Sequence, residues 1–354
     1  MILLVYLLSV SLAKIDFYFF IVILIILTYN IITMKSMPAR LENCRKIIFK
    51  NGWCLQGHSK AGERTGFWLS PLNILLDCGL STYRSPKCMF LTHTHTDHSA
   101  QSTNIYTPRS KPLNGQNKLV GRPFVTNNSI FDIMEKLFCS YADLANGQLN
   151  SVNEKDSVWK MSGAHPFVIT NEKREFDFDK RSDVTEVHGN IITIPGLYKL
   201  NVEILNCYHR TPCIGYGFIT VSNKLKEKYK KLNSKEIRDL RLSGTEITEQ
   251  KNIPQLAFYG DTTIKALSDH DTWKKYPIIV IECTIYYKKE NDRRLDSHIS
   301  WTQIEKYLVE NQDNQFILIH SSMNVDDKWL TEFECKKKEE LDIDNFCIWT
   351  DISY

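Results

Sequence analysis

Residues 90–100 read FLTHTHTDHSA, which places three histidines and an aspartate within six positions, directly behind an apolar run. The whole chain holds only ten histidines. His93 and His95 are two apart, so in extended backbone their side chains fall on the same side. Asp97 and His98 follow once the chain turns, and they face a second point nearby. Imidazole nitrogen and carboxylate oxygen are the ligands that zinc accepts in catalytic sites, at roughly 2.0–2.2 Å. Two such ions about 3.5–4 Å apart activate water and clamp a phosphoryl oxygen. A lone histidine is usually structural, but four potential ligands buried together without metal would leave several polar groups unsatisfied. Metal binding is the expectation here.

One loop supplies too few ligands for two ions, so the rest must converge from the C-terminal ends of other strands. His209 ends a strand at 199–207, in NCYHRTPCIGYGF. Asp261 ends LAFYGDTT, where Gly260 permits close backbone approach. His320 ends QFILIHSS. Singly, each is an ordinary polar residue at a strand end. Together they bring the count to seven ligands for two ions, with Asp261 able to bridge.

The elements that position these side chains follow from the apolar pattern. Strand-like runs recur at 73–76, 88–91, 190–194, 199–207, 215–221, 256–259, 278–281 and 315–320. Several are continuous apolar segments, as in strands buried on both faces. Between them, Ser129 caps a helix with Ile130, Ile133, Met134, Leu137, Phe138 and Tyr141 on one core-facing side, ending near Gly147. Ser300 and Gln303 have capping-box spacing ahead of Ile304, Tyr307 and Leu308. Strands interleaved with helices predict an α/β protein.

The 354 residues are 43% hydrophobic and 24% charged, a globular composition with a net charge of only +3. That balance permits nucleic acid as a partner without arguing for it. The ten cysteines show no C-x-x-C pair, which reads as reduced thiols in a cytosol-like compartment. Residues 1–40 form a hydrophobic N-terminal segment, distinct from a domain over 41–354. Within it, residues 17–33 sit at the lower length limit for a membrane anchor. Lys35, Arg40, Arg45 and Lys46 would then keep the domain on the cytoplasmic side. A true start at Met34 or Met37 is the other reading, and the sequence leaves both open. The segment 224–241, KLKEKYKKLNSKEIRDLR, carries eight basic and three acidic residues. Its bland reading is a solvated helical hairpin.

The motifs, taken in order, resemble ribonuclease Z within the metallo-β-lactamase-fold hydrolases, and most of all its short plant-like form. The likeness runs over residues 51–325. It includes GHSKAGERTGFWLSPLNILLDCGL, THTHTDH, YHRTPCIGYGF, SNKLKEKYKKL leading to SGTEIT, LAFYGDTT, DSHIS and LIHSS. It implies an αββα four-layer sandwich with two mixed sheets, and cleavage of precursor tRNA to remove the 3′ trailer. It implies two zinc ions per chain, one held by His93, His95 and His209, the other by Asp97, His98 and His320, with Asp261 bridging. His298 in DSHIS would give a proton to the leaving 3′ oxygen, and Asp97 would help to orient the attacking water. Asp77 would support the metal loop from behind. The insertion at about 222–250 would be an arm gripping tRNA through Lys224, Lys226, Lys228, Lys230, Lys231, Lys235, Arg238 and Arg241. The resemblance also implies a homodimer, and a cytoplasmic or nuclear catalytic domain. His58, His165, His188 and His270 match no ligand position.

Three features depart from that pattern. The Gly-Gly pair usual after the cluster is replaced by Ser99 and Ala100, and the stretch 103–121 that follows is unusual in content. The residues after His320 are Ser321, Ser322, Met323, Asn324 and Val325, without the usual phenylalanine and Arg-Tyr pair. The Gly-Pro arm motif of bacterial relatives is absent. The competing functions are a phosphodiesterase of the same fold acting on another nucleic acid or a small ester, and an inactive RNA-binding relative.

Overall fold

The computed structural model of the chain describes residues 40–106, 122–127, eight positions within 130–144, 164–169, 189–194, 197, 199–287 and 292–351. The N-terminal segment with its candidate anchor, Ser129, Gly147, His188 and the side chain of His165 lie outside the described residues, as does most of 103–121.

The described strands form two sheets. The first runs β1 (Lys46–Ile48), β2 (Cys54–Ala61), β3 (Arg64–Ser70), β4 (Ile74–Leu76), β5 (Cys88–Phe90), β6 (Arg122–Asn127) and β7 (Ala164–Ile169) in spatial order. The second runs from β8 (Ile191–Thr193) through β9 (Leu200–Asn206), β10 (Ile214–Leu225), β11 (Thr248–Phe258), β12 (Ile278–Glu282) and β13 (Gln315–Ile319) to β15 (Phe346–Ile348). The short β14 (Ser321–Ser322) pairs with β2 of the first sheet. Each sheet is antiparallel in its first strands and parallel from β4 or β11 onward. Both sheets are therefore mixed. All eight expected strands are present, their ends shifted by four residues or fewer except at β11, which begins eight residues earlier than expected.

Three buried clusters define the layers. Phe67, Phe90 and Leu76 of the first sheet meet Tyr216, Phe218, Phe258 and Val280 of the second in the central core. Outside the first sheet, Trp68, Leu75 and Met89 pack with Ile130, Met134 and Phe138, which the structure places on a helix. Outside the second, Ile279, Ile281 and Leu318 pack with Trp301, Ile304 and Leu308. This is the four-layer αββα sandwich with two mixed sheets that the resemblance implies. Leu137 is 43% exposed, so the apolar stripe of that first helix is narrower than expected.

Local signals set the helix bounds. Ser300 and Gln303 do form a capping box, starting the helix Trp301–Glu310. The basic segment differs from a helical hairpin. The strands β10 and β11 run on as a ribbon to Leu225 and Thr248, and between them lies one α-helix, Ser234–Leu242, whose start is set by a capping box of Asn233 and Glu236. No residue of that helix is buried.

Candidate active site

Every candidate ligand sits just beyond the C-terminal end of a strand, six of the seven in the parallel halves of the two sheets and His209 in the antiparallel part of the second. His93, His95, Asp97 and His98 follow β5, with Asp97 and His98 on the single helical turn Thr96–Ser99. Asp261 follows β11 and His320 follows β13, while His209 leaves β9. C-terminal strand ends are where open α/β sheets place ligands. Two glycines allow the approach. A Cβ on Gly79 would stand 1.7 Å from the Asp97 carbonyl oxygen, and one on Gly260 would stand 2.6 Å from Thr92. The turn at Thr96–Ser99 ends on Ala100 with φ −54°, ordinary right-handed backbone, so no glycine is needed after the cluster. Ser99 Oγ donates to the Thr94 and His95 carbonyls instead.

The seven candidate ligands converge as two sets. His93, His95, His209 and Asp261 each bring one ligand atom within 4.8 Å of the others, and so do Asp97, His98 and His320. Asp261 joins the sets: its Oδ2 lies 3.7 Å from His93 Nε2, and its Oδ1 lies 3.3 Å from His98 Nε2 and 3.4 Å from His320 Nε2. His93 Nε2, His98 Nε2 and Asp261 Oδ1 are buried without hydrogen-bond partners. Leaving such atoms unpaired costs about 1–3 kcal/mol each. Cations between them would remove that cost, and five imidazoles with two carboxylates are a donor set that suits zinc. The residues fit the metal pair.

Groups behind the ligands fix their orientation. His98 Nδ1 donates to Asp77 Oδ2 at 2.8 Å. His93 Nδ1 lies 3.0 Å from Thr92 Oγ1, which donates to the same carboxylate at 2.9 Å. On the other sheet, His320 Nδ1 lies 3.1 Å from Thr284 Oγ1, which donates to Glu282 Oε2 at 2.6 Å. His298 Nδ1 donates to Glu282 Oε1 at 2.9 Å. His209 Nδ1 donates to the Ser297 carbonyl at 2.9 Å. These bonds fix the ring orientations from the Nδ1 side, the arrangement by which metal-binding histidines are held. Asp77 (φ 55°) and His320 (φ 62°) hold left-handed backbone at the turn from strand to site. That conformation costs a residue with a Cβ about 1–2 kcal/mol.

The electrostatics separate the sets. Burial, aided by the charge of His98, keeps His93 well below the ordinary imidazole value, and burial lowers His95 and His209 too. Burial also opposes charge on His98, but Asp261 and Asp77 outweigh it and raise that imidazole well above its usual value. Burial raises Asp97, yet the hydrogen bond from His320 and the charges of His98 and His320 hold it at about 2. Burial likewise opposes the charge on His298, and the Glu282 carboxylate overcomes it, pushing the imidazole to about 9.

No protein-family model matches the chain. Over 284 residues it is 24% identical to tRNase Z TRZ1 of Arabidopsis thaliana, an alignment covering 78% of this chain and 88% of that protein. This chain is similar to ribonuclease Z. A nuclear ribonuclease Z of Triticum aestivum is 25% identical over 199 residues, covering 56% of this chain and 92% of its own length. Among solved structures, the short form of human tRNase Z aligns at a TM-score of 0.44 and 10% identity, over 84% of this chain and 95% of that one.

The likeness to ribonuclease Z was legible in the motifs, but Glu282 does not stand out among them. It is the one acid closing the apolar run IIVIECT, the same strand-end signal that marks Asp261 in LAFYGDTT. Fully buried, it also accepts from the Thr262 N–H at 2.7 Å and the Ile299 N–H at 3.1 Å. His58 proves structural: its Nδ1 pairs with Asp351 at 2.8 Å. His270 lies with Nε2 3.4 Å from Asn206, outside both ligand sets. Of the arm cations, Lys226 and Lys230 pair with Glu246 and Glu227. Lys228 lies over the ring of Tyr229. Lys224, Lys231, Lys235, Arg238 and Arg241 are exposed, with no ion pair among the described residues. No helix of the described residues is long and apolar enough to cross a membrane.

Proposed function

We propose that this chain is a zinc-dependent endoribonuclease that removes the 3′ trailer from precursor tRNA. The carrying observation is the convergence of two ligand sets that share Asp261, with His298 stacked 5.6 Å from His320 on their rim. The similarity to tRNase Z over most of the chain supplies the substrate. His93, His95 and His209 would hold one zinc, and Asp97, His98 and His320 the other, with Asp261 between them. When bound, such a pair lowers the pKa of water toward 7 and offsets negative charge building on the phosphate.

The chain's own groups do the rest. Asp97 orients the attacking water; its Oδ2 is fixed by the Gly62 N–H at 3.0 Å. Attack at phosphorus breaks the bond to O3′ of the mature tRNA end. His298 is held as an imidazolium by Glu282, with Nδ1 occupied, so Nε2 gives its proton to that oxygen. The arm offers phosphate contacts away from the cut, which position a substrate without reading its sequence. A small phosphodiester would leave the exposed basic arm without a role, which favours the RNA reading.

The test is cleavage of a 3′-extended precursor tRNA by the zinc-loaded chain, beside His95→Ala and with zinc content measured. A single cut at the start of the trailer, lost together with zinc in the variant, is expected. Hydrolysis of a small chromogenic phosphodiester with the tRNA left whole would overturn the assignment to tRNA.

A further inference from the structure

On the His320 side of the site, a cleft of about 570 Å³ opens between the segment 292–294 and the turn 322–325. Thr284 lines it and is hydrogen-bonded to His320, so the cleft begins one bond away from a candidate metal ligand. Its volume lies inside the roughly 300–1,000 Å³ usual for ligand sites. Apart from Thr284, its lining takes no part in the chemistry above.

One wall is aromatic. Tyr287 is 52% exposed, yet it is not a loose surface ring. Its centroid lies 4.5 Å from Trp329, which stacks on Phe333 at 4.9 Å with 27° between the planes. Tyr286 is buried edge-on against both rings. An exposed ring backed by a packed aromatic stack is a platform on which a planar base can lie.

The lining also carries charge. Arg294 is locked onto Asp292, with Nη2 2.6 Å from Oδ2. Arg293 is exposed and has no side-chain partner among the described residues. Its backbone is nonetheless fixed, because Arg210 Nη2 donates to the Arg293 carbonyl at 3.2 Å. That bond ties the segment to the loop carrying His209. A free guanidinium on a fixed backbone and an aromatic platform, lining the same cleft, match the two chemistries of one nucleotide, its phosphate and its base.

We propose that this cleft holds the nucleotide on the 5′ side of the scissile phosphate, with its base on Tyr287 and its own 5′-phosphate on Arg293. The inference rests on the function proposed above. The side follows from His298. The oxygen it protonates belongs to that nucleotide, and His298 is anchored to Glu282, two residues from Thr284 in the cleft lining. Stacking accepts any base, since every base has a flat face, so the cleft fixes position without selecting sequence.

Two product RNAs test this on the zinc-loaded full chain, without cleavage intervening. One is an acceptor-stem hairpin ending at the cut site with 2-aminopurine as its last nucleotide. The other is a 5′-phosphorylated trailer with 2-aminopurine as its first. The hairpin's fluorescence should quench on binding. Tyr287→Ala should remove the quenching and weaken affinity about 10-fold or more, and Tyr287→Phe should restore both. Arg293→Ala should weaken binding and lower the salt dependence by the share of roughly one phosphate. Hairpin binding unchanged by Tyr287→Ala, or quenching confined to the trailer, would overturn the subsite and leave the nuclease reading standing. Failure of both RNAs to bind the unaltered chain would overturn the two together.

Discussion

Glu282→Gln is the most informative single substitution, because it keeps the shape of the side chain and removes only its charge and half of its acceptor capacity. Glu282 accepts from Thr262 N and His298 Nδ1 on one oxygen, and from Thr284 Oγ1 and Ile299 N on the other. An amide offers one oxygen, so whichever way it turns, a buried backbone N–H of Thr262 or Ile299 meets an NH₂ group. That orphan costs about 1–3 kcal/mol. The rise of His298 from 6.5 to about 9 corresponds to about 3 kcal/mol of preference for its charged form, most of it owed to this carboxylate. The sign follows: a raised imidazole is charged below its folded value, so proton donation persists through neutral pH and fades as pH climbs through about 9. In Glu282→Gln the opposing burial is no longer outweighed, so the imidazole falls to 6.5 or below, and at pH 8 no more than about one ring in thirty stays protonated. Single-turnover cleavage of a precursor tRNA should therefore fall about 30-fold at pH 8 and much less at pH 6, its alkaline limb displaced downward. His298→Ala should lose about 10²–10⁴-fold across the range. A chromogenic phosphodiester with a nitrophenolate leaving group needs no proton donor, so its hydrolysis should survive both changes while zinc content stays intact. Equal losses on both esters, or an unmoved alkaline limb, would refute the assignment of His298 as proton donor.

Reversing Lys224, Lys228, Lys231 and Lys235 to glutamate should weaken tRNA binding and flatten its log–log salt dependence by roughly 0.7–0.9 for each phosphate that is no longer neutralised, while small-ester hydrolysis is spared. Equal loss on both substrates would make the arm a structural element. Gly79→Ala drives a methyl into the Asp97 carbonyl and the Thr65 backbone nitrogen, neither of which can rotate aside. Stability should fall by about 1–3 kcal/mol, read as a lower Tm, with zinc content falling too; an unchanged Tm would mean that the Thr96–Ser99 turn is not packed as described.

The candidate ligands were legible because a strand end is a local feature: an apolar run followed by a histidine or aspartate can be read without knowing the sheet. The hairpin β2–β3 was not legible for a related reason. His58, Ser59 and Thr65 are buried there but polar, satisfied by Asp351 and by one another, so the apolar period that marks a strand is interrupted. The helix Asp327–Leu341 is equally hidden because Leu330 is its only buried residue, leaving little amphipathic pattern to detect. The arm reads as helical from composition alone, yet its ribbon is held by register with the long strands it extends, which composition does not carry.

The support of the site needs knowledge of a different kind. Asp77 ends β4 and holds His98 directly and His93 through Thr92, the last two lying beyond the neighbouring strand β5. Glu282 ends β12 and holds His298 directly and His320 through Thr284, with His320 beyond the neighbouring strand β13. Each sheet thus supplies one fully buried acid that grips one histidine itself and another through a threonine. The arrangement works because parallel neighbours bring their C-terminal ends level, so an acid on one strand reaches the turn after the next. A threonine can relay because its hydroxyl accepts from the imidazole and donates to the carboxylate at once. Thr92→Val or Thr284→Val would keep the volume and remove both bonds. Sequence distance between an acid and its relayed histidine is irrelevant to this device, and strand order decides it.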